Sequence, residues 1–461
     1  MELTDYFVIL MFASFICFLL LGVPIAYCLW GTAMIFSLVG WGSDIYLHTN
    51  TGLGYNFLGV AVRRIYNVMS NWVLVALPMF IFMGLMLERS GVAERLMRSA
   101  QELFGRVRGG LAVTTALIGV LLAASTGIVG ASVVLLGMLS LPTMLEQGYS
   151  KELSLGTIAG AGTLGILIPP SIMLVMMADQ LALSVGDLFL GAFIPGLALA
   201  VLYILYILVF SYLRPKAAPL APERHPFSWR IVVRLARDVL PPAVLILAVL
   251  GSIFAGIATV TEASGVGAMA AVLLTLTSRR LNFRVLKQVL VGTFNTTGYI
   301  FGILIGANAF ALVLRGLGGD EAIERMLTAL PFGPLGVVFF LIICVFLLGF
   351  FLDWVEITLI ILPLVAPVVA GLDLDVPGYG VVDDPKQVWF SILLAVTLQT
   401  SFLTPPVGFS LFYLKGICPP EVTLGHLYRG VIPFIILQMV ALMLTFFWPE
   451  LVTWLPGVAY Q

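Results

Sequence analysis

Charge is scarce in this sequence. Of its 461 residues, 10% are Asp, Glu, Lys or Arg, whereas 61% are hydrophobic and the mean hydropathy is +1.10. So few charges exclude a large soluble core, and the formal net charge of −1 implies no bulk attraction to nucleic acid. Apolar runs of about 18 residues or more recur from Tyr6 to the C-terminus and predict a polytopic membrane protein.

The common signatures of catalysis and metal binding are missing. The sequence has no Walker motif, no GxSxG and no HExxH, so neither ATP use nor hydrolysis has support. Its three histidines are dispersed and form no metal-ligand spacing. Its four cysteines lie in or beside apolar runs without CxxC spacing, which is typical of small packing residues. We therefore expect a protein that is not an enzyme and that has no cofactor.

What stands out instead is a pair of prolines in each half of the chain, within apolar runs. They are Pro169-Pro170 and Pro405-Pro406. A proline inside a helix removes a backbone donor and clashes with the preceding turn, which costs about 3 kcal/mol or more. At bilayer depth the freed carbonyls survive only against protein or a wet cavity. Two such breaks, one per half, indicate the binding site of a transporter.

The order of elements occurs twice along the chain, which predicts an internal repeat. Local matches support it, among them Leu141-Pro142 with Leu362-Pro363 and Ile194-Pro195 with Ile432-Pro433. Chance similarity between apolar chains is the alternative. We predict an all-α fold with a first repeat over 1–213, a cytoplasmic linker over 214–237 and a second repeat over 238–461. Each repeat would contain scaffold helices, an interfacial arm, a re-entrant hairpin (109–144 or 331–370) and a proline-broken helix.

Charge placement predicts that the two repeats are inverted. Ten of the 23 Lys and Arg residues lie between Arg214 and Lys287, in two clusters separated by two spans. Both clusters should be cytoplasmic under the positive-inside rule. Counting spans then places the first amphipathic helix, over 88–108, in the cytoplasm and the second, over 316–330, outside. Arg63 and Arg64 would lie outside, against the rule.

Each half combines a polar hairpin tip with a proline break, which is the oxygen-rich arrangement that a sodium ion needs. Unwound backbone supplies carbonyls, and neighbouring Ser or Thr supplies hydroxyls. The first tip, Ser125-Thr126-Gly127, is expected to face the break at Gly165, Ile168 and Pro170. The second tip, over 349–353, is expected to face Ser401, Thr404 and Pro406. The alternative is that Pro and Gly kink these helices for packing alone.

Asp353 lies within an apolar run, where an ionisable residue is a functional hypothesis by default. We expect it to add negative charge to the second cation site. Glu356, one turn on, shares that role or lines the cavity. The alternative is that Asp353 pairs with Arg315 or with another buried donor.

Three other acidic residues have simpler interpretations. Glu262 lies at the turn between two spans, where it fixes that turn or a subunit contact. Asp179 and Asp187 lie near membrane ends and are expected to be solvated.

At these residues the chain resembles the large membrane subunit of TRAP transporters, the DctM-like family of the ion transporter superfamily. The resemblance extends over nearly the whole length. The matching segments are Leu21-Gly22-Val23-Pro24-Ile25-Ala26, Leu77 to Gly84, Gly162 to Ser171, Thr261-Glu262-Ala263, Leu352-Asp353 and Thr404-Pro405-Pro406-Val407-Gly408.

The resemblance implies a sodium-driven secondary transporter of the elevator type in the bacterial inner membrane. A periplasmic solute-binding protein (DctP-like) would deliver a small carboxylate, and a small membrane subunit of four helices (DctQ-like) would complete the complex in the bilayer. The first sodium site would comprise Ser125, Thr126, Gly165, Ile168 and Pro170. The second would comprise Gly349, Asp353, Ser401, Thr404 and Pro406. Candidates for the substrate cavity are Thr126, Gly127, Pro169, Glu356 and Pro405.

We therefore predict uptake of a small organic acid coupled to inward sodium flow. The two hairpins and the two broken helices would move, and the other spans would form a fixed scaffold. The first rival is a binding-protein-independent sodium and anion carrier of the same superfamily. A channel or a non-transporting membrane scaffold is a rival of another class. An intramembrane enzyme is a further alternative, although no catalytic dyad is visible.

Overall fold

A computed structural model describes residues 3–54, 56–126, 129–220, 228–379, 382 and 384–459. Within these ranges every regular element is a helix. Nine of the described helices are long and apolar enough to cross a membrane, and a tenth span results if the bent pair Gly59–Met69 and Val73–Arg89 counts as one. The predicted all-α polytopic class is confirmed.

The first half of the chain contains ten α-helices. They are α1 (Leu3–Leu20), α2 (Ile25–Tyr46), α3 (Asn56–Met69), α4 (Ala76–Arg89), α5 (Val92–Phe104), α6 (Gly110–Thr126), α7 (Val129–Glu146), α8 (Lys151–Thr163), α9 (Ile172–Leu181) and α10 (Val185–Leu213). The amphipathic segment predicted over 88–108 is shorter as a helix, because α4 runs through Arg89 and Gly91 turns the chain with φ +70° before α5.

The second half contains eleven. They are α11 (Trp229–Phe254), α12 (Val260–Thr277), α13 (Phe283–Gly316), α14 (Gly319–Thr328), α15 (Pro334–Leu348), α16 (Trp354–Glu356), α17 (Leu362–Gly371), α18 (Pro385–Leu403), α19 (Phe409–Ile417), α20 (Leu424–Phe447) and α21 (Glu450–Ala459). The linker predicted over 214–237 is partly helical, since α11 already begins at Trp229. The division of the chain into two inverted repeats stays a prediction.

Side-chain caps start several of these helices at the predicted turns. The hydroxyl of Ser150 accepts from the backbone N–H of Leu153 at the start of α8. At α12, Thr259 and Glu262 form a reciprocal capping box, in which the Thr259 N–H donates to Glu262 Oε2 at 2.8 Å. The interpretation of Glu262 as the residue that fixes this turn is confirmed.

Helix formation stops at both proline pairs. After α8 the chain makes one 3₁₀ turn over Leu164–Ile166 and regains α-helix only at Ile172. After α18 it is non-helical from Thr404 until α19 begins at Phe409. Both Pro-Pro peptide bonds are cis. Prolines supply no N–H to the turn before them, so the helix ends where the sequence predicts.

The helices pack as two bundles. The frame bundle comprises α1–α4 and α11–α13, with main contacts between α4 and α12 and between α2 and α13. The core bundle comprises α6–α10 and α15–α21, arranged around α8 and α18. Close approach is possible because small residues lie at the crossings. A side chain on Gly156 of α8, for example, would collide with the Gly430 carbonyl of α20.

Two spans belong to a different bundle from the one expected. The sequence interpretation assigned every span outside the hairpins and broken helices to the scaffold. Instead α20 packs mainly along α8 and α18, and α10 along α6, α8, α9, α18 and α21. The edge-to-face contact between Tyr203 of α10 and Phe434 of α20, at 5.0 Å between ring centroids, joins them within the core bundle. Which helices move stays a prediction, and this packing groups α10 and α20 with the broken helices.

The two amphipathic helices, α5 and α14, form ion pairs with different parts of the chain. Helix α5 contacts both basic clusters: Arg234 pairs with Glu102 at 2.9 Å and Arg280 with Glu94 at 3.2 Å. Helix α14 contacts the start of the chain instead, since Arg325 pairs with Asp5 of α1 at 2.6 Å. The contacts of α5 agree with its predicted place beside the basic clusters, and the placement of α14 on the opposite side of the membrane stays a prediction.

Candidate ion and substrate site

The first break presents a backbone carbonyl without its helical donor. Pro169 has no N–H for the carbonyl of Gly165, and Pro170 has none for the carbonyl of Ile166. The hydroxyl of Ser171 donates to the Ile166 carbonyl at 2.6 Å and replaces that bond. The Gly165 carbonyl, a predicted sodium ligand, lacks its helical donor for the same reason. Ile168 lies in the same turn, where its N–H donates to Leu164 at 3.0 Å.

The first tip is only partly described. Ser125 and Thr126 end helix α6, but their side chains and the whole of Gly127 lie outside the described residues. Helices α6 and α7, which flank this tip, both pack against α8. The contact is tight, since a Cβ on Gly162 would lie 3.1 Å from Cα of Val133. The two helices that flank the tip therefore lie against the first broken helix, while the position of the tip at the break and its ligand set stay predictions.

At the second site, tip and break are in direct contact. A Cβ on Gly349, the residue that follows α15, would lie 2.8 Å from Cβ of Ser401 and would overlap its hydroxyl. Only glycine allows the tip backbone to come this close to the break. Two predicted members of the second sodium site are thus neighbours in the structure.

The hydroxyls at the second break are oriented to accept a cation. Ser401 Oγ donates its proton to the Leu398 carbonyl at 2.9 Å, and Thr404 Oγ1 donates to Thr400 at 2.7 Å. With their protons directed at the helix backbone, both oxygens keep lone pairs for a ligand. These neutral oxygens fit the hard, oxygen-seeking character of a sodium ion. The Pro406 carbonyl, a further predicted ligand, accepts from the Tyr428 hydroxyl at 3.4 Å.

The two breaks differ at the residue after the prolines. This difference leaves a carbonyl free at the second break, which the sequence analysis did not predict. Pro406 has no N–H for the Phe402 carbonyl, just as Pro170 has none for Ile166. The first break replaces that bond with Ser171, but Val407 stands at the corresponding position of the second break and has no hydroxyl. The Phe402 carbonyl is therefore an additional oxygen candidate.

Asp353 caps a short helix at the second tip. Its Oδ1 accepts from the backbone N–H of Trp354 at 2.8 Å, which fixes the side chain at the start of α16. Arg315, the partner considered as an alternative, pairs with Asp320 at 3.1 Å. A π-helical turn follows over Ile357–Ile361, a feature that is frequent at functional sites.

Glu356 is fully buried and joins the two bundles. Its Oε1 accepts from the hydroxyl of Tyr299 on frame helix α13 at 3.4 Å, and its Oε2 has no partner in the described part of the chain. Of the other cavity candidates, Pro169 is buried and Pro405 is half-buried. Thr126 and Gly127 belong to the incompletely described tip. The structure therefore does not place these five residues around one described cavity.

The two halves meet close to Asp353. The ring of Tyr413 on α19 lies against Gly130 at the start of α7, where a Cβ would be 2.9 Å from the ring. The same tyrosine is near enough to Asp353 for an electrostatic interaction. The first hairpin, the second tip and the second broken helix thus converge on one region of the core bundle.

A buried polar cluster directly precedes both breaks, and sequence reasoning missed it. The side-chain amides of Gln399 on α18 and Gln438 on α20 both donate to Thr163 Oγ1 of α8 at 3.4 Å. Tyr203 of α10 completes the cluster, and all four residues are fully buried. The available signal was two glutamines within apolar runs, where polar groups are costly. The cluster ties the ends of the two broken helices together.

The family model described as "Tripartite ATP-independent periplasmic transporter, DctM component" matches residues 12–451. The chain belongs to this DctM family. Being a member of a transporter family, it is not an enzyme, as expected, and the resemblance noted from the proline motifs is confirmed.

Curated relatives agree with this assignment. The chain is 30% identical to the C4-dicarboxylate TRAP transporter large permease protein DctM of Vibrio cholerae, over 97% of either chain. It is 31% identical to the ectoine/5-hydroxyectoine TRAP transporter large permease protein UehC of Ruegeria pomeroyi, over 84% of this chain and 87% of the relative. The isethionate TRAP transporter permease protein DctMQ of Oleidesulfovibrio alaskensis is 26% identical over 97% of this chain, which spans 66% of that longer protein.

The fold of this DctM family member is also similar to a solved one. The crystal structure of the Alcanivorax borkumensis YdaH transporter superposes with a TM-score of 0.59, over 94% of this chain and 97% of the other. The sequence identity is 14%, so the likeness concerns the fold alone.

Proposed function

We propose that this DctM family member is the large permease subunit of a sodium-coupled transporter that imports a small organic acid. A periplasmic binding protein would deliver the acid, and the complex would lie in the bacterial inner membrane. The observation that carries the proposal is the contact between Gly349 of the second tip and Ser401 of the second break. It brings the backbone of the tip and a hydroxyl of the break together, four residues before Asp353 in the chain.

Sodium would bind at both breaks. In the second site, Gly349, Asp353, Ser401, Thr404 and Pro406 would supply the oxygens, and Asp353 would supply the negative charge. In the first site, the Gly165 carbonyl, Ile168 and Pro170 would act with Ser125 and Thr126. Because tip and break come from separate segments, an ion between them would favour the arrangement in which they are closed upon each other.

Transport would occur by movement of the core bundle against the frame bundle. Helices α10 and α20 would travel with the core bundle, since they pack along the broken helices. The hydrogen bond between Tyr299 and Glu356 lies between the bundles, so it would form or break as the core bundle moves.

The relatives support an organic substrate and a multi-subunit complex. Their names include a C4-dicarboxylate, an isethionate and an ectoine transporter, two of which take organic anions. The name DctMQ belongs to a permease longer than this chain, which supports a DctQ-like partner in the complex. We infer a DctP-like binding protein as the source of specificity.

Reconstituted uptake tests the proposal. The complex of large and small subunits is placed in proteoliposomes, and initial uptake of the acid carried by the cognate binding protein is measured. External sodium is compared with choline, and each condition is run with and without the binding protein. We expect uptake only when external sodium and the binding protein are both present. Equal uptake in choline would reject the sodium coupling, and uptake by the membrane subunits alone would favour the binding-protein-independent carrier.

A further inference from the structure

A polar cavity of about 360 Å³ lies between α3, α9 and α13. Its walls come from both bundles: Arg64 and Asn67 on α3 and Asn308 on α13 of the frame, and Asp179 and Gln180 on α9 of the core. Asn308 is about two turns from the C-terminal end of α13, whose N-terminal end follows the second basic cluster. The cavity is therefore on the side predicted to be extracytoplasmic.

Arg64 supplies this cavity with a positive charge. It is half-buried, and none of the ion pairs among the described residues involves it. The charged neighbour that acts on it is another guanidinium, Arg315, which is already paired with Asp320 at 3.1 Å. A half-buried guanidinium in this position is suited to an incoming carboxylate, which it can bind in bidentate geometry.

The carboxylate of Asp179 is already held by side-chain amides. Its Oδ1 accepts from Asn71 Nδ2 at 2.5 Å, and its Oδ2 accepts from Gln180 Nε2 at 3.2 Å. The expectation that Asp179 is simply solvated is therefore wrong. Its negative charge repels a second carboxylate on that wall, so the cavity offers an anion-binding end at Arg64 and a hydrogen-bonding end at Asp179.

We propose that this cavity is a binding site for the carboxylate of a small organic anion, with Arg64 as its counter-ion. Asn67 lies one helical turn beyond Arg64 on the same face of α3, so its amide can donate to the same carboxylate. The site would hold the anion at the boundary between the bundles before it reaches the breaks. That place in the transport sequence rests on the proposed function, whereas binding at Arg64 does not.

Protection of an introduced cysteine tests the binding. The four native cysteines are replaced by alanine, and Val68→Cys places a thiol in the cavity wall. The thiol reacts with neutral methyl methanethiosulfonate to form a methyl disulfide and release methanesulfinate. The rate of this reaction is measured in nanodiscs at constant ionic strength, with butyrate or with its neutral analogue butyramide. We expect butyrate to slow the reaction several-fold and butyramide to leave it unchanged.

Three arginine variants show whether Arg64 is responsible for the protection. Arg64→Gln should weaken butyrate binding about tenfold or more, because a charge-assisted pair is lost. Arg63→Gln is the matched control, since Arg63 is the exposed neighbour on the same helix and does not line the cavity. Arg64→Lys keeps the charge and should retain part of the protection, which separates loss of charge from loss of folding.

These measurements decide whether Arg64 binds the carboxylate, and they do so whether or not transport is coupled to sodium. If butyrate gives no protection, or protects equally after Arg64→Gln, the site assignment is overturned. The assay uses no ion gradient. Protection at Val68→Cys together with sodium-independent uptake would therefore contradict the proposed function and leave the cavity site standing.

Discussion

Asp353→Asn should weaken sodium binding without unfolding the protein. Asparagine is nearly isosteric with aspartate and caps helices as well, so the bond from the Trp354 N–H to the side-chain oxygen, 2.8 Å in the structure, can persist. What disappears is the negative charge of the second tip, four residues from Gly349 in the chain. The substitution therefore isolates the electrostatic contribution to the second site.

The size of the effect follows from the distances that such a site allows. Two unit charges about 4 Å apart attract with about 4 kcal/mol at an effective dielectric constant of about 20. Part of that gain is offset because the carboxylate must lose water before it meets the ion. If about half survives, the substitution costs about 2 kcal/mol, or a roughly 30-fold weaker sodium affinity.

The assay is equilibrium binding of ²²Na⁺ to the purified complex, followed by the sodium dependence of initial uptake. Asp373→Asn is the control, because Asp373 is an exposed loop carboxylate and the charge change is the same. We expect the half-saturating sodium concentration to rise for Asp353→Asn and to stay constant for Asp373→Asn. An unchanged sodium dependence in a folded Asp353→Asn protein would remove Asp353 from the site.

Two further predictions concern packing and the first break. Gly156→Ala should lower the thermal unfolding temperature and reduce the folded yield, because its methyl group would collide with the Gly430 carbonyl; Gly265→Ala, with no atom within 4 Å of the new Cβ, should be neutral or slightly stabilising. Equal thermal unfolding temperatures for the two variants would contradict the close crossing of α8 and α20 at Gly156. Ser171→Ala should cost about 1–3 kcal/mol of stability, since the buried Ile166 carbonyl loses its 2.6 Å donor, and an unchanged thermal unfolding profile would contradict that role.

Much of the fold was predictable because proline and glycine act locally. Pro169-Pro170 and Pro405-Pro406 end helices wherever they occur, and the breaks lie where the sequence places them. Glu262 was predictable for the same reason, because a capping box involves residues only three positions apart.

The features that the sequence did not reveal depend on contacts between distant segments. The membership of α10 and α20 in the core bundle follows from complementary surfaces, such as Tyr203 against Phe434, and no local pattern encodes it. Asp179 was expected to be solvated, but its environment is set by Asn71, 108 positions earlier in the chain.

The candidate site was predictable in kind but not in detail. The pairing of polar tips with broken helices identified the segments, and the contact between Gly349 and Ser401 brings one pair together. The contribution of the Phe402 carbonyl depends on the absence of a hydroxyl at Val407, which becomes visible only once the Ser171 bond at the other break is known. The sodium and substrate assignments stay predictions.

The most direct test of the central claim is the entry of ²²Na⁺ that substrate drives into proteoliposomes containing the membrane complex. Substrate-loaded binding protein is added outside, with no sodium gradient imposed, and ²²Na⁺ entry is compared with that after addition of empty binding protein. We expect ²²Na⁺ to enter together with the acid and Asp353→Asn to reduce this entry. Accumulation of the acid without any accompanying ²²Na⁺ entry would contradict it.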